Sequence, residues 1–119
     1  MIIEAGEPSF KNALLFVQMF EYDPLLADRA ADLVDTATIA DLGHDAGAES
    51  RYAFTIGKEK KIRPNRNYYI VAIICKDAAK LDYPNRLYYG LPTHTTGICK
   101  VLTNGEPTQV TFKGKKVDG

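Results

Sequence analysis

His44, Asp45 and Glu49 stand in one short polar stretch of the 119-residue chain. An imidazole and two carboxylates could hold a metal ion or relay a proton. Their spacing matches no standard ligand set, and a closed tetrahedral site would need a fourth donor from elsewhere. Gly43–Ser50 reads as a glycine-bearing loop, and the trio as solvated. His94 lies five residues before Cys99. A Cys–His nucleophilic pair would need an exposed Cys99 of lowered pKa within hydrogen-bond reach of an imidazole. If the loops bearing His44 and His94 fall at one end of the domain, the two rings could meet. Within a strand, Cys99 reads as inert. Thr93, Thr95, Thr96 and Ser50 supply hydroxyls, but there is no GxSxG, no phosphate-binding loop and no GxGxxG before a helix. The expectation is a non-catalytic protein with no catalytic, cofactor-binding or metal-binding residues. A small enzyme or accessory subunit using His44, His94 and Cys99 is the alternative.

The other polar residues point to solvated surfaces. Lys58, Lys60, Lys61, Arg63 and Arg66 crowd one turn, while Asp23, Asp28, Asp32, Asp35 and Asp41 follow the first long apolar run. Such charged margins block strand-to-strand aggregation, and as complementary patches they could also orient a partner or a second copy. Fifteen basic residues balance fifteen acidic ones, so no global field favours nucleic acid or anionic lipid. The basic turn also lacks interleaved aromatic residues for stacking bases. No window reaches the roughly 18 apolar residues of a membrane span. Met1–Glu7 has neither a basic region nor a long apolar core, so it does not read as a secretory signal. The sequence leaves the location open: periplasmic if a signal has been removed, otherwise cytoplasmic. With no CxxC spacing, Cys75 and Cys99 read as free thiols, with a disulfide between neighbouring strands left open.

Ile62–Cys75 carries the strongest pattern in the chain. A proline turn leads into Tyr68–Cys75, where tyrosines and β-branched residues favour a strand. Tyr68, Ile70, Ala72 and Ile74 lie on one face; Tyr69, Val71, Ile73 and Cys75 lie on the other. An antiparallel strand apolar on both faces belongs mid-sheet with both faces covered. Ala13–Tyr22 is similar: Ala13, Leu15, Val17 and Met19 line one face, and Leu14, Phe16, Phe20 and Tyr22 line the other around Gln18. A solvated face does not usually hold such residues, so Leu14, Phe16, Phe20 and Tyr22 are the candidate interface with a protein partner or a second copy.

The remaining strands are expected at 33–42, 51–56, 86–90, 98–102 and 108–112. Tyr52, Phe54 and Ile56 should point one way, as should Val110 and Phe112. Residues 25–32 could form a helical turn or two, and Asn104–Gly105 carries the strongest turn signal. The sum is an all-β, immunoglobulin- or transthyretin-like antiparallel sandwich of about seven strands. It forms a single domain over residues 1–119, with 1–12 as a lead-in and 113–119 as a flexible tail. Tyrosines at positions 68, 69, 83, 88 and 89 also suit a carbohydrate- or peptide-binding sandwich.

Three segments together resemble a known family. They are Ala13–Met19 leading to Ala27–Ala30; Phe54 followed by Ile62 and Tyr68–Ile74; and Val101–Val110, which contains Asn104–Gly105–Glu106–Pro107. In this order they are similar to the YbaY-like and YscW-like lipoproteins, small periplasmic β-sandwich domains. The resemblance runs from about Ala13 to Phe112. It implies a sandwich fold and a binding or assembly role, since some relatives are pilotins that escort the outer-membrane ring of a secretion system. This chain departs from the family in having no cysteine near its start and more aromatic residues on its first long strand.

Overall fold

Asn67–Cys75 (β5) forms the centre of the sheet. In the computed structural model of the chain, residues 1–23, 25, 31–57, 66–76, 86–93, 99–101 and 109–117 are described. Every regular element among them is a strand: β1 (Ile2–Ile3), β2 (Phe10–Tyr22), β3 (Asp32–His44), β4 (Ser50–Arg51), β5, β6 (Arg86–Pro92), β7 (Cys99–Val101) and β8 (Phe112–Lys116). They build one sheet in the order β3-β2-β5-β6-β8-β1-β4, with β7 also paired to β5. All pairings are antiparallel except β1 with β8. The fold is all-β and sandwich-like, as the alternation predicts.

Alternation explains the core. Leu15, Val17 and Met19 of β2 pair with Ile74, Ala72 and Ile70 of β5, and all six are buried. The sheet curls until Ile3, Tyr88 and Phe112, near its far end, enter the same cluster. Each such large apolar side chain contributes about 1.5–3 kcal/mol relative to exposure. Tyr68, the largest of the fully buried side chains, donates its hydroxyl hydrogen bond to Glu21 Oε2 at 2.7 Å, so its polar atom enters the interior with an acceptor.

Several boundaries differ from expectation. Ile2–Ile3 is a strand rather than lead-in, and β2 begins at Phe10. Lys113–Lys116 pairs with β6 rather than forming part of a free tail. The strand expected at 51–56 is confined to Ser50–Arg51, because its partner β1 has only two residues. The alternation beyond it survives: Tyr52, Phe54 and Ile56 are half-buried against the core, while Ala53 and Thr55 are exposed. Val110 and Phe112 face inward as expected, although the strand begins only at Phe112. The expected helical turns, the lysine-rich turn 58–61 and the Asn104–Gly105 turn lie outside the described residues, apart from the exposed Leu25 and the end residues 31 and 32.

The largest correction concerns β5. Its inner face is closed, with Tyr68, Ile70, Ala72 and Ile74 buried. On its outer face Ile73 and Cys75 are buried, but Tyr69 is half-exposed and Val71 is 37% exposed. Cover on both sides, which the strand's composition predicts, is found at one end only.

Candidate functional site

Among the described residues, His44, Asp45 and Glu49 are not brought together. His44 is the last residue of β3, not a loop residue, and is 3% exposed. Its Nε2–H donates to the Glu7 carbonyl at 3.2 Å, since a carbonyl only accepts. In the neutral ring Nδ1 then accepts from the Ser50 hydroxyl, 2.7 Å away. The ring also stacks on Phe10, with centroids 5.6 Å apart. Asp45 and Glu49 stay at the surface, where Glu49 pairs with Arg51 Nε at 2.6 Å. The expected trio is therefore split between a buried structural imidazole and a solvated rim. Among the described residues, no group of three or more His, Cys, Asp or Glu could hold a metal ion.

Strand register also separates His44 from Cys99. His44 pairs with Phe10, whereas Cys99 pairs with Ile70, which is opposite Met19. Phe10 and Met19 are nine residues apart on β2, about 30 Å at 3.3 Å per residue. A His44–Cys99 pair cannot form. Cys75 is free and buried. It lies five residues along β5 from the partner of Cys99, about 16 Å, beyond the reach of a disulfide. His94 lies outside the described residues.

The distinctive surface is the outer face of the sheet. Leu14, Phe16, Gln18, Phe20 and Tyr22 of β2 pair with Cys75, Ile73, Val71, Tyr69 and Asn67 of β5. Leu14 is buried at 7% exposure; Phe16, Phe20 and Tyr22 are half-buried. Phe20 stacks on Tyr69 with centroids 5.1 Å apart and planes 19° apart, and Tyr22 tilts against Tyr69 at 5.8 Å. Ile73 pairs with Tyr89 on β6, so the same face continues through Tyr89 and Leu91, which are 37% and 44% exposed. On β3, Leu33 opposite Phe20 is 51% exposed. The patch crosses four strands.

Polar groups close one end of this patch. Arg66 Nη1 stands 3.3 Å from Asp23 Oδ2, and its Nε lies 3.8 Å from Glu21 Oε1. Asn67 Nδ2 donates to the Tyr22 hydroxyl at 3.4 Å. These contacts hold the ends of β2 and β5 together where the aromatic cluster begins.

The fold resembles that of a pilotin. The solved structure of an alternative pilotin from the type II secretion system of Vibrio cholerae superposes with a TM-score of 0.50 at 20% identity, over 87% of this chain and 81% of the other. No family model and no curated protein sequence matches the chain. The likeness is one of fold: it supports the sandwich architecture expected from the sequence resemblance and carries no residue roles.

Of the predicted interface, Phe16, Phe20 and Tyr22 offer surface, and Leu14 lies beneath it. Sequence reasoning missed the contribution of Val71, Tyr89 and Leu91. For Val71 the signal lies in the second apolar face of Tyr68–Cys75, whose composition reads as internally covered; Tyr89 and Leu91 lie on β6, outside that stretch.

Proposed function

We propose that this chain is a non-catalytic binding or assembly module, of the kind the YbaY-like and YscW-like lipoproteins and pilotins represent, that docks a protein on the outer face of β2 and β5. The observation that carries this reading is the exposed continuity of that face. Val71, Tyr89 and Leu91 present apolar surface beside half-buried Phe16, Phe20 and Tyr22. Contiguous apolar patches of this kind mark interaction surfaces. Aromatic side chains supply large rigid contact area and are enriched where binding energy concentrates. The pilotin fold supports the same class of role.

The test replaces Phe16 and Phe20 with Ser together. Mass in solution and the yield of complexes photo-crosslinked from position 18 in the source cells are then compared with the unsubstituted chain. The expected result is loss of assembly with the circular dichroism spectrum retained. Unchanged assembly by a folded double variant would remove the proposal.

A further inference from the structure

We propose that the lateral edge of β3 takes up an extended segment of another protein, flanked by basic residues, which adds to the sheet as a further strand. This edge is separate from the outer face of β2 and β5. β3 ends the sheet path: β2 pairs along one side of it, and among the described residues no strand pairs along the other. Its regular part is Asp35–Ile39, matched residue for residue with Met19–Leu15 of β2 between two register shifts. There the Thr36 amide donates to Asp35 Oδ1 at 2.9 Å, so it points away from β2. Direction alternates along an antiparallel strand, which turns the Thr36 carbonyl and both main-chain groups of Thr38 to the same side. Among the described residues, no main-chain group bonds to those three.

Side chains close the edge at both ends of this window and leave the window itself open. Asp35 occupies the Thr36 amide, and the Tyr52 hydroxyl donates to the Gly43 carbonyl. Asp41, at a φ of +58°, stands where the register breaks beyond Ile39. Thr36, Thr38 and Ala40 are exposed, while Ala37 and Ile39 are half-buried against the core. Amides and carbonyls presented at strand spacing are matched by another extended backbone, with alternate side chains setting the preference. Small apolar side chains on one face of the added strand would complete the cover of Ala37 and Ile39. Threonine or valine on its other face would lie beside Thr36 and Thr38, as cross-strand pairs prefer.

Charge decides which strand is admitted. Asp35 and Asp41 flank the window, and β3 holds no lysine, arginine or proline, residues that commonly guard an edge. A second copy of β3 would set two further carboxylates along the same edge, and like charges on neighbouring strands are unfavourable. The same two carboxylates favour a segment with lysine or arginine at its ends. The edge thus disfavours its own copy and selects a basic partner.

The probe is a peptide of alternating valine and threonine with lysines at both ends, titrated against the full chain while amide exchange is followed residue by residue. The expected result is binding in which the Thr38 amide exchanges about tenfold more slowly, or slower still. The same core ending in glutamates should bind about tenfold more weakly. Asp41→Asn, which keeps a residue that tolerates this backbone, should narrow that difference. Methylating alternate nitrogens of the peptide blocks one edge of the added strand and spares the other, so one methylation pattern should abolish binding and the opposite pattern retain it. No binding, an unprotected Thr38 amide at saturation, or equal binding by the two methylated forms overturns strand addition. Equal binding by the lysine and glutamate peptides overturns the selection by charge. Self-association that protects Thr38 without any peptide would give the edge to a second copy and overturn the partner. None of these measurements depends on crosslinking from position 18, so this edge and the outer face stand or fall separately.

Discussion

Gly90 and Gly114 face each other across the β6–β8 pair, and buried side chains occupy the space a Cβ on either would need. A Cβ on Gly90 would lie 2.9 Å from Phe112 Cβ and Cδ1; one on Gly114 would lie 2.5 Å from Ile3 Cδ1. Phe112 is held at its own Cβ and cannot swing clear, whereas Ile3 meets the intruder with the end of a flexible chain. Gly90→Ala should therefore cost about 1–3 kcal/mol and Gly114→Ala less, read from urea midpoints at constant slope. Equal midpoints for Gly90→Ala and the unsubstituted protein would contradict the packing described for Phe112.

His44 links three stretches of chain: its own strand β3, β4 through Ser50, and the turn before β2 through Glu7. Ser50→Ala removes one partner and leaves the buried Nδ1 atom without a donor, at a cost of about 1–3 kcal/mol. His44→Phe keeps the ring on Phe10 but leaves the Glu7 carbonyl without this donor. Both variants should unfold at lower urea concentration, and neither should alter the crosslinking yield from position 18, because the imidazole lies on the inner side of the sheet. A change in that yield at constant stability would show that His44 contributes to binding after all.

Tyr88 should titrate apart from the other tyrosines. Burial, followed by the charge of Glu7 and the hydrogen bond to it, pushes its hydroxyl up to about 12. The hydroxyl lies 3.4 Å from Glu7 Oε2. Absorbance at the phenolate band should show a late step near that pH, absent from Tyr88→Phe. The linkage has a definite sign. The folded value lies above the unfolded value of about 10, so the contribution to stability is fully present below pH 10 and is lost as pH rises towards 12. Tyr52, raised chiefly by burial, adds a loss of the same sign.

β2 and β5 were legible in the sequence because two-residue periodicity survives any tertiary context. Leu15, Val17 and Met19 could lie on one face only if Phe16 and Phe20 lay on the other. Whether that second face is covered was not legible, since an apolar face reads alike whether its own chain or another protein covers it. β1 was invisible because two residues carry no period. Lys113–Lys116 read as a tail because of its charge, although its alternation with Gly114 suits an outer margin facing Tyr89 and Leu91. His44 read as a loop residue because its neighbours are polar; what buries it comes from Glu7 and Phe10, distant in sequence.

Asp35 supports the last prediction. Its Oδ1 accepts from the Thr36 amide at 2.9 Å and its Oδ2 from the Gly57 amide at 2.7 Å. One carboxylate thus occupies an amide on β3 and anchors the chain where Gly57 adopts a φ of +77°. A Cβ on Gly57 would come within 2.8 Å of Met19 Sδ, in a backbone region that L residues enter at a cost of about 1–2 kcal/mol. Gly57→Ala should be destabilising by at least about 1 kcal/mol for backbone reasons alone. Asp35→Ala frees two amides and should cost about 1–3 kcal/mol, with Asp35→Asn retaining one acceptor and falling between. The Thr36 amide would then be available on β3, so Asp35→Ala should also aggregate sooner on heating, by the pairing that charged edges oppose. Light scattering through the thermal transition measures this directly; an onset no earlier than that of Gly57→Ala at matched stability would show that Asp35 supports the fold without guarding the strand.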